Sequence, residues 1–175
     1  FVSDWAAFFG ALENVETKSN RHPEAGDRFK VFMELLARTG MRMSEAAHLM
    51  WADVDMTAKT FTITADRAKN GEALTLPMSD QTFALLDNLR DRTEGKTYIW
   101  GASSYGDPRR TLTAFRKALG RPVSFHDLRR SFATIATDLD VQQSKIMRLL
   151  NHANGGNVTL GSFELHGRSS DGPRS

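Results

Sequence analysis

The chain has 175 residues, 23 Lys and Arg against 21 Asp and Glu, and no Cys. That length suits one compact domain with a real core, and a formal charge of only +2, with a pI of ≈ 9.1, means that any nucleic-acid surface must come from local clustering of charge. Without Cys there are no disulfides, thiolate metal sites or Cys nucleophile, no apolar run approaches membrane-spanning length, and Asp4 behind Phe1-Val2 leaves no basic start for a secretory signal. A soluble intracellular protein is expected. The sequence opens without Met and runs straight into helix-like sequence, so a piece of something longer is expected too.

Val2, Trp5, Phe8, Phe9 and Leu12 recur at helical spacing within residues 1–15, whose aromatic stripe needs no reading beyond core packing. Glu16 to Gly26 is polar, holds Pro23 and reads as a loop. Asp27 is placed to cap a helix with Phe29, Phe32, Met33, Leu35 and Leu36 on its apolar face, ending at Thr39-Gly40. Ser44 is placed to cap the next. From Lys59 to Pro77 the period becomes two: Phe61, Ile63 and Ala65 alternate with threonines, Leu74 and Leu76 return, and Asn70-Gly71 marks the turn of a β-hairpin carrying Arg67 and Lys69. Asp53-Val54-Asp55, the nearest thing to a paired-carboxylate motif, reads as the turn into it. Ser79 then caps a helix with Phe83, Leu85, Leu86 and Leu89; a loop spans Thr93 to Asp107; Pro108 suits the first turn of a helix ending near Gly120. Further helices are expected from about His126 through Ala136, from about Val141 to Leu150, and over Leu160 to Leu165, before a polar tail from Gly167 to Ser175. The fold class is α+β, mainly α-helical, with a small antiparallel β-hairpin or sheet on one side.

The stretch Ser124-Phe125-His126-Asp127-Leu128-Arg129-Arg130 organises the rest. On a helix His126 and Arg129 lie three apart, so an imidazole and a guanidinium can converge on one small anion, most plausibly a phosphate. Alone the pair is an ordinary solvated face. Three other clusters stand on separate elements: Thr39-Gly40-Met41-Arg42-Met43-Ser44-Glu45, Lys69 at the hairpin tip, and Leu149-Leu150-Asn151-His152 at a helix end. Each has its own bland reading, a surface charge or a histidine near a helix C-terminus. Their order is what carries weight.

That order resembles the tyrosine recombinases, the phage-integrase family, whose catalytic domain has an Arg in a Gly-x-Arg-x-Ser-Glu segment, a Lys on a β-hairpin, a His-x-x-Arg pair, a further His or Trp after a Leu-rich helix, and a nucleophilic Tyr. The matching positions are Arg42, Lys69, His126 with Arg129, and His152, over about Asp27 to His166. Phe163 stands where the family has its Tyr, no tyrosine follows Tyr105, and Tyr98 and Tyr105 precede the His126 pair, out of order for a nucleophile. The simplest account is a Tyr→Phe change that holds DNA without cutting it; a naturally inactive relative is the alternative.

The resemblance implies a site-specific recombinase or integrase that cleaves and rejoins double-stranded DNA through a 3′-phosphotyrosyl bond, with no metal or other cofactor. Arg42 and Arg129 would clamp the phosphate, Lys69 would protonate the 5′-oxygen, His126 would move the nucleophile's proton and His152 would donate to the phosphate. Arg67, Arg109, Arg110, Lys117, Arg121, Arg130, Lys145 and Arg148 are available for flanking phosphates. Residues 1–166 would form the catalytic domain, with 167–175 a flexible tail and an N-terminal DNA-clamp domain outside this chain. Partners would be attachment-type DNA sites and, in the synaptic complex, a homotetramer acting at the cytoplasmic nucleoid of a bacterial or host cell. The alternatives are a recombinase-like DNA-binding protein without catalysis, a type IB topoisomerase or telomere resolvase, and, most blandly, a small helical regulator with surface His and Arg.

Overall fold

The computed structural model of the protein describes residues 2, 4–15 and 25–150. In chain order these form α1 (Trp5–Glu13), α2 (Ala25–Thr39), α3 (Met43–Ala47), a 3₁₀ turn (Trp51–Asp53), β1 (Val54–Asp55), β2 (Thr60–Ile63), β3 (Leu74–Pro77), α4 (Asp80–Thr93), α5 (Arg109–Leu119), α6 (Phe125–Asp138) and α7 (Gln143–Leu149). The fold is mainly helical with one three-stranded antiparallel sheet in the order β1-β2-β3. The expected helix over Leu160 to Leu165 and the tail lie outside the described residues.

Helix α2 is the axis of the molecule. Phe29, Phe32, Met33, Leu35 and Leu36 are wholly buried along it, and it packs against α3, α4 and α6. Phe32 lies 4.3 Å from the Tyr105 ring, 5.4 Å from Trp100 and 5.9 Å from Phe125, so one side chain joins α2, the loop before α5 and the start of α6. At the other end Phe8 of α1 meets Phe115 of α5 at 5.2 Å in an edge-on pair. A smaller cluster of Ala136, Ile146 and Leu150, with Phe132 and Val141 against it, holds α7 on α6.

Cross-strand pairing of Phe61 with Leu76 and of Ile63 with Leu74 puts four apolar side chains on the buried face of the sheet, while Thr62 and Thr75 share a hydroxyl hydrogen bond of 2.9 Å on the other. Three expected boundaries move. Helix α2 begins at Ala25, so Asp27 sits in its first turn instead of capping it. Helix α3 begins at Met43, with Arg42 as its cap residue and Ser44 inside. Asn70-Gly71 does not close a two-residue turn: residues 64–73 all lie between β2 and β3. The cap at Ser79 and the terminal Gly40 and Gly120, with φ of +65° and +73°, are as expected.

Candidate active site

The site is built where α2 ends. Thr39 Oγ1 donates to the Leu35 carbonyl at 2.6 Å and accepts from the Met41 amide at 3.3 Å, which turns the chain out of the helix. Gly40 follows in the left-handed region. A Cβ on it would lie 2.7 Å from Phe132 Cδ1 and 2.9 Å from Leu150 Cδ2, so glycine is required both by the backbone and by the close approach of α6 and α7. Arg42 comes next in extended conformation, and Glu45, 4% exposed, accepts its backbone N–H and its guanidinium, each at 2.9 Å. Glu45 therefore does at this helix start what Ser44 was expected to do.

Opposite, Ser124 caps α6 in a reciprocal box. Its Oγ accepts from the Asp127 amide at 3.1 Å, and Asp127 Oδ2 accepts from the Ser124 amide at 2.8 Å. This sets the first turn of α6, with His126 exposed on it. Arg129, one turn on, is only 7% exposed. Its guanidinium donates to the Gly40 carbonyl at 2.7 Å and to the Leu150 carbonyl, so α6, the end of α2 and the end of α7 meet at one side chain. Burial, and after it the charge of Arg42, together lower its pKa to about 10, with Glu45 opposing both. The Glu45 carboxylate thus bears on both guanidiniums, through a hydrogen bond to that of Arg42 and through its charge on that of Arg129. Planar guanidiniums with paired N–H donors suit phosphate oxygens.

Lys69 is exposed in the loop between β2 and β3. Arg67, two residues before it, faces inward. Its two terminal nitrogens each donate to a different oxygen of Asp53 at 2.6 Å, one of them also to the His48 carbonyl at 2.9 Å, and its Nε to Thr64 Oγ1 at 2.9 Å. Hydrogen bonding to Asp53 raises its pKa, against a smaller cost of burial. Arg109 and Arg110 on the first turn of α5, Arg130 on α6, and Lys145 and Arg148 on α7 are all exposed. His152 and Phe163 lie outside the described residues. The parts that Glu45 and Asp53 play are not singled out by the sequence; Glu45 had one signal, its place three residues after Arg42 at a helix start, and Asp53 had none.

The sequence pattern of the phage integrase family matches residues 12–160, a span that contains every one of these elements from α2 onward. The chain belongs to the phage integrase family. It is 29% identical over 141 residues to the tyrosine recombinase XerA of Pyrococcus furiosus, covering 75% of this chain and 49% of that protein. It is 29% identical over 131 residues to the prophage integrase IntS of Escherichia coli, covering 71% of this chain and 34% of that protein. The chain therefore spans about half the length, or less, of these relatives. The crystal structure of XerA recombinase shares the fold, with a TM-score of 0.65 and 21% identity over 88% of this chain and 55% of that one. So does the Tn1549 transposon integrase in complex with transposon right end DNA, with a TM-score of 0.67 and 11% identity over 88% of this chain and 57% of that one. Among the described residues of this integrase-family chain, no helix is long and apolar enough to cross a membrane.

Proposed function

We propose that this chain is the catalytic part of a site-specific DNA recombinase or integrase, which holds a backbone phosphate between Arg42 and Arg129. The observation that carries the reading is the buried Arg129, gripped by the carbonyls of Gly40 and Leu150 and lowered in pKa by burial and by Arg42. Two guanidiniums whose charges repel, with the carboxylate of Glu45 near them, form an arrangement that a pentacoordinate phosphate with extra negative charge would reward. That structural relatives include XerH site-specific recombinase bound to its difH substrate supports DNA as the partner. Double-stranded DNA carrying attachment-type sites is the substrate, the working assembly is a homotetramer, and the setting is cytoplasmic.

In the active form a Tyr oxygen attacks phosphorus. A bond from that oxygen to phosphorus forms, the bond to the 5′-oxygen breaks, and the departing oxygen takes a proton from Lys69. The nucleophile's own proton passes to His126. His152 donates a hydrogen bond to the phosphate. The 3′-phosphotyrosyl link conserves one phosphodiester's energy, so a 5′-hydroxyl can reverse the step and rejoin a strand without a cofactor. With Phe163 in the nucleophile's place no oxygen attacks, and the chain binds DNA without cutting it. A recombinase-like DNA-binding protein is the second reading, favoured by that phenylalanine.

The test is a suicide-substrate assay on the chain and on Phe163→Tyr, scoring covalent protein–DNA adduct on a denaturing gel. Adduct with Phe163→Tyr alone is expected. Adduct with the unsubstituted chain would mean that another residue attacks and would sink the assignment of Phe163. No adduct from either, with DNA bound by both, would favour the DNA-binding reading.

A further inference from the structure

We infer that Arg67, held by Asp53 and by the His48 carbonyl, is a positioning device that fixes the Lys69 loop to α3, the short helix that Arg42 caps, so that the two cations are set relative to each other before DNA arrives. The inference rests on the proposed role of Lys69 at the phosphate. It assigns Arg67 a task other than contact with a flanking phosphate.

The argument begins with the donors of Arg67. A guanidinium has five N–H groups in a rigid fork. Both ends of this fork meet the Asp53 carboxylate side by side, the geometry in which a planar cation holds a carboxylate most specifically. One end also reaches the carbonyl of His48, the residue that closes α3, and Nε holds Thr64 at the base of its own loop. The side chains of Arg67 and Asp53 are 18% and 7% exposed, so this is not a solvated surface pair. Asp53 Oδ2 accepts the Met50 amide at 2.9 Å as well, which fixes the carboxylate to the 3₁₀ turn before β1.

The consequence for Lys69 follows from the chain. The amides of Arg67 and Ala68 both donate to the Thr64 carbonyl, at 3.0 and 2.9 Å, and the Gly71 amide donates to the Ala68 carbonyl at 3.0 Å. Ala68 is 8% exposed. The residue immediately before Lys69 is therefore buried and the one before that is clamped. The Lys69 side chain itself is exposed. A hairpin tip is by default the most mobile part of a sheet, and a general acid on it would need ordering at each turnover. Here the base of the tip is tied to His48, and His48 is joined to Arg42 through the five residues of α3. Lys69 keeps a flexible four-carbon stem on a fixed root, a preorganised arrangement that lowers the cost of aligning it with the phosphate.

The chain has no Cys, so spin labels can be placed at will. With Lys69→Cys and Ser44→Cys labelled, Ser44 being an exposed residue of α3, electron spin echo measurements give the distance distribution between the loop and α3. A single narrow peak is expected, and its loss when Arg67→Lys or Asp53→Asn is added. Arg67→Lys keeps the charge but not the fork, and Asp53→Asn keeps the shape but not the charge, so at least one variant folds, as checked by a cooperative melt. An unchanged narrow peak in a folded variant overturns the inference. In parallel, reductive methylation of the chain with native Lys69, free and bound to duplex DNA, reads whether the Lys69 amine is covered. Protection by DNA, lost in Arg67→Lys or Asp53→Asn while DNA affinity holds, is expected; a change in stability alone would not produce that pattern. No protection in the unsubstituted chain would instead sink the proposed role of Lys69, and with it the purpose of the clamp.

Discussion

Replacing Gly40 by alanine tests whether the junction of α2, α6 and α7 is as tight as its geometry demands. Two costs add. The first is conformational: φ at this residue is +65°, and an L side chain in the left-handed region costs about 1–2 kcal/mol. The second is steric, because the new Cβ would stand 2.7 Å from Phe132 Cδ1, 2.9 Å from Phe132 Cγ and 2.9 Å from Leu150 Cδ2. Phe132 cannot swing away without disturbing α6, which is locked to the same spot by the bond from Arg129 to the Gly40 carbonyl. Overpacking of this kind costs about 1–3 kcal/mol. Gly120→Ala is the control: its φ is +73°, but nothing lies within 4 Å of a Cβ there. Urea denaturation of both variants should therefore show Gly120→Ala less stable by about 1–2 kcal/mol and Gly40→Ala by roughly 2–5 kcal/mol, the sum of the two terms. Equal losses in the two variants would refute the steric part, and with it the claim that the close approach of α6 and α7 requires glycine here.

Other outcomes follow from single features. Ser124→Ala removes the acceptor for the Asp127 amide at the start of α6 and should cost about 1 kcal/mol in thermal or chemical denaturation, with no loss if the box is unimportant. Burial pushes the Tyr105 phenol from 10.0 to about 12, with the charge of Arg28 opposing in part. The unfolded chain gives up that proton first as pH rises, so stability is fully present below pH 10 and falls between pH 10 and about 12. Phenolate absorbance in Tyr98→Phe isolates Tyr105, since the chain has only 2 tyrosines, and a midpoint near the ordinary value would contradict its burial against Phe32. Neutralising an exposed arginine that touches a phosphate, as in Arg130→Gln or Arg148→Gln, should reduce the slope of log affinity against log salt by about 0.9 each on duplex DNA. An unchanged slope would remove that residue from the interface.

What could be read from the sequence was what is local. The cap at Ser79 acts on an amide three residues on, and the buried alternation of Phe61, Ile63, Leu74 and Leu76 is carried within two short strands, so pattern alone finds them. The motifs of the candidate site are local in the same way: Gly40 to Glu45 and Ser124 to Arg129 are each six consecutive residues. The misplaced boundaries show where this stops. Ser44 has the usual capping chemistry, but Glu45 reaches back to the Arg42 amide while holding the Arg42 guanidinium, and one carboxylate doing both settles the helix start two residues earlier than serine would. Asn70-Gly71 has the usual turn chemistry, but it sits within a longer loop whose Arg67 is held by Asp53, 14 residues back, and by the His48 carbonyl, 19 back. Arg129 meets the Gly40 carbonyl across 89 residues. A sequence pattern carries no information on such pairs. The contrast between Arg67 and Lys69 makes the point most directly: two cations two residues apart on a hairpin read as the same kind of residue. Only once the fold brings a buried carboxylate under one of them do they separate, the arginine turned inward onto Asp53 and the lysine left exposed.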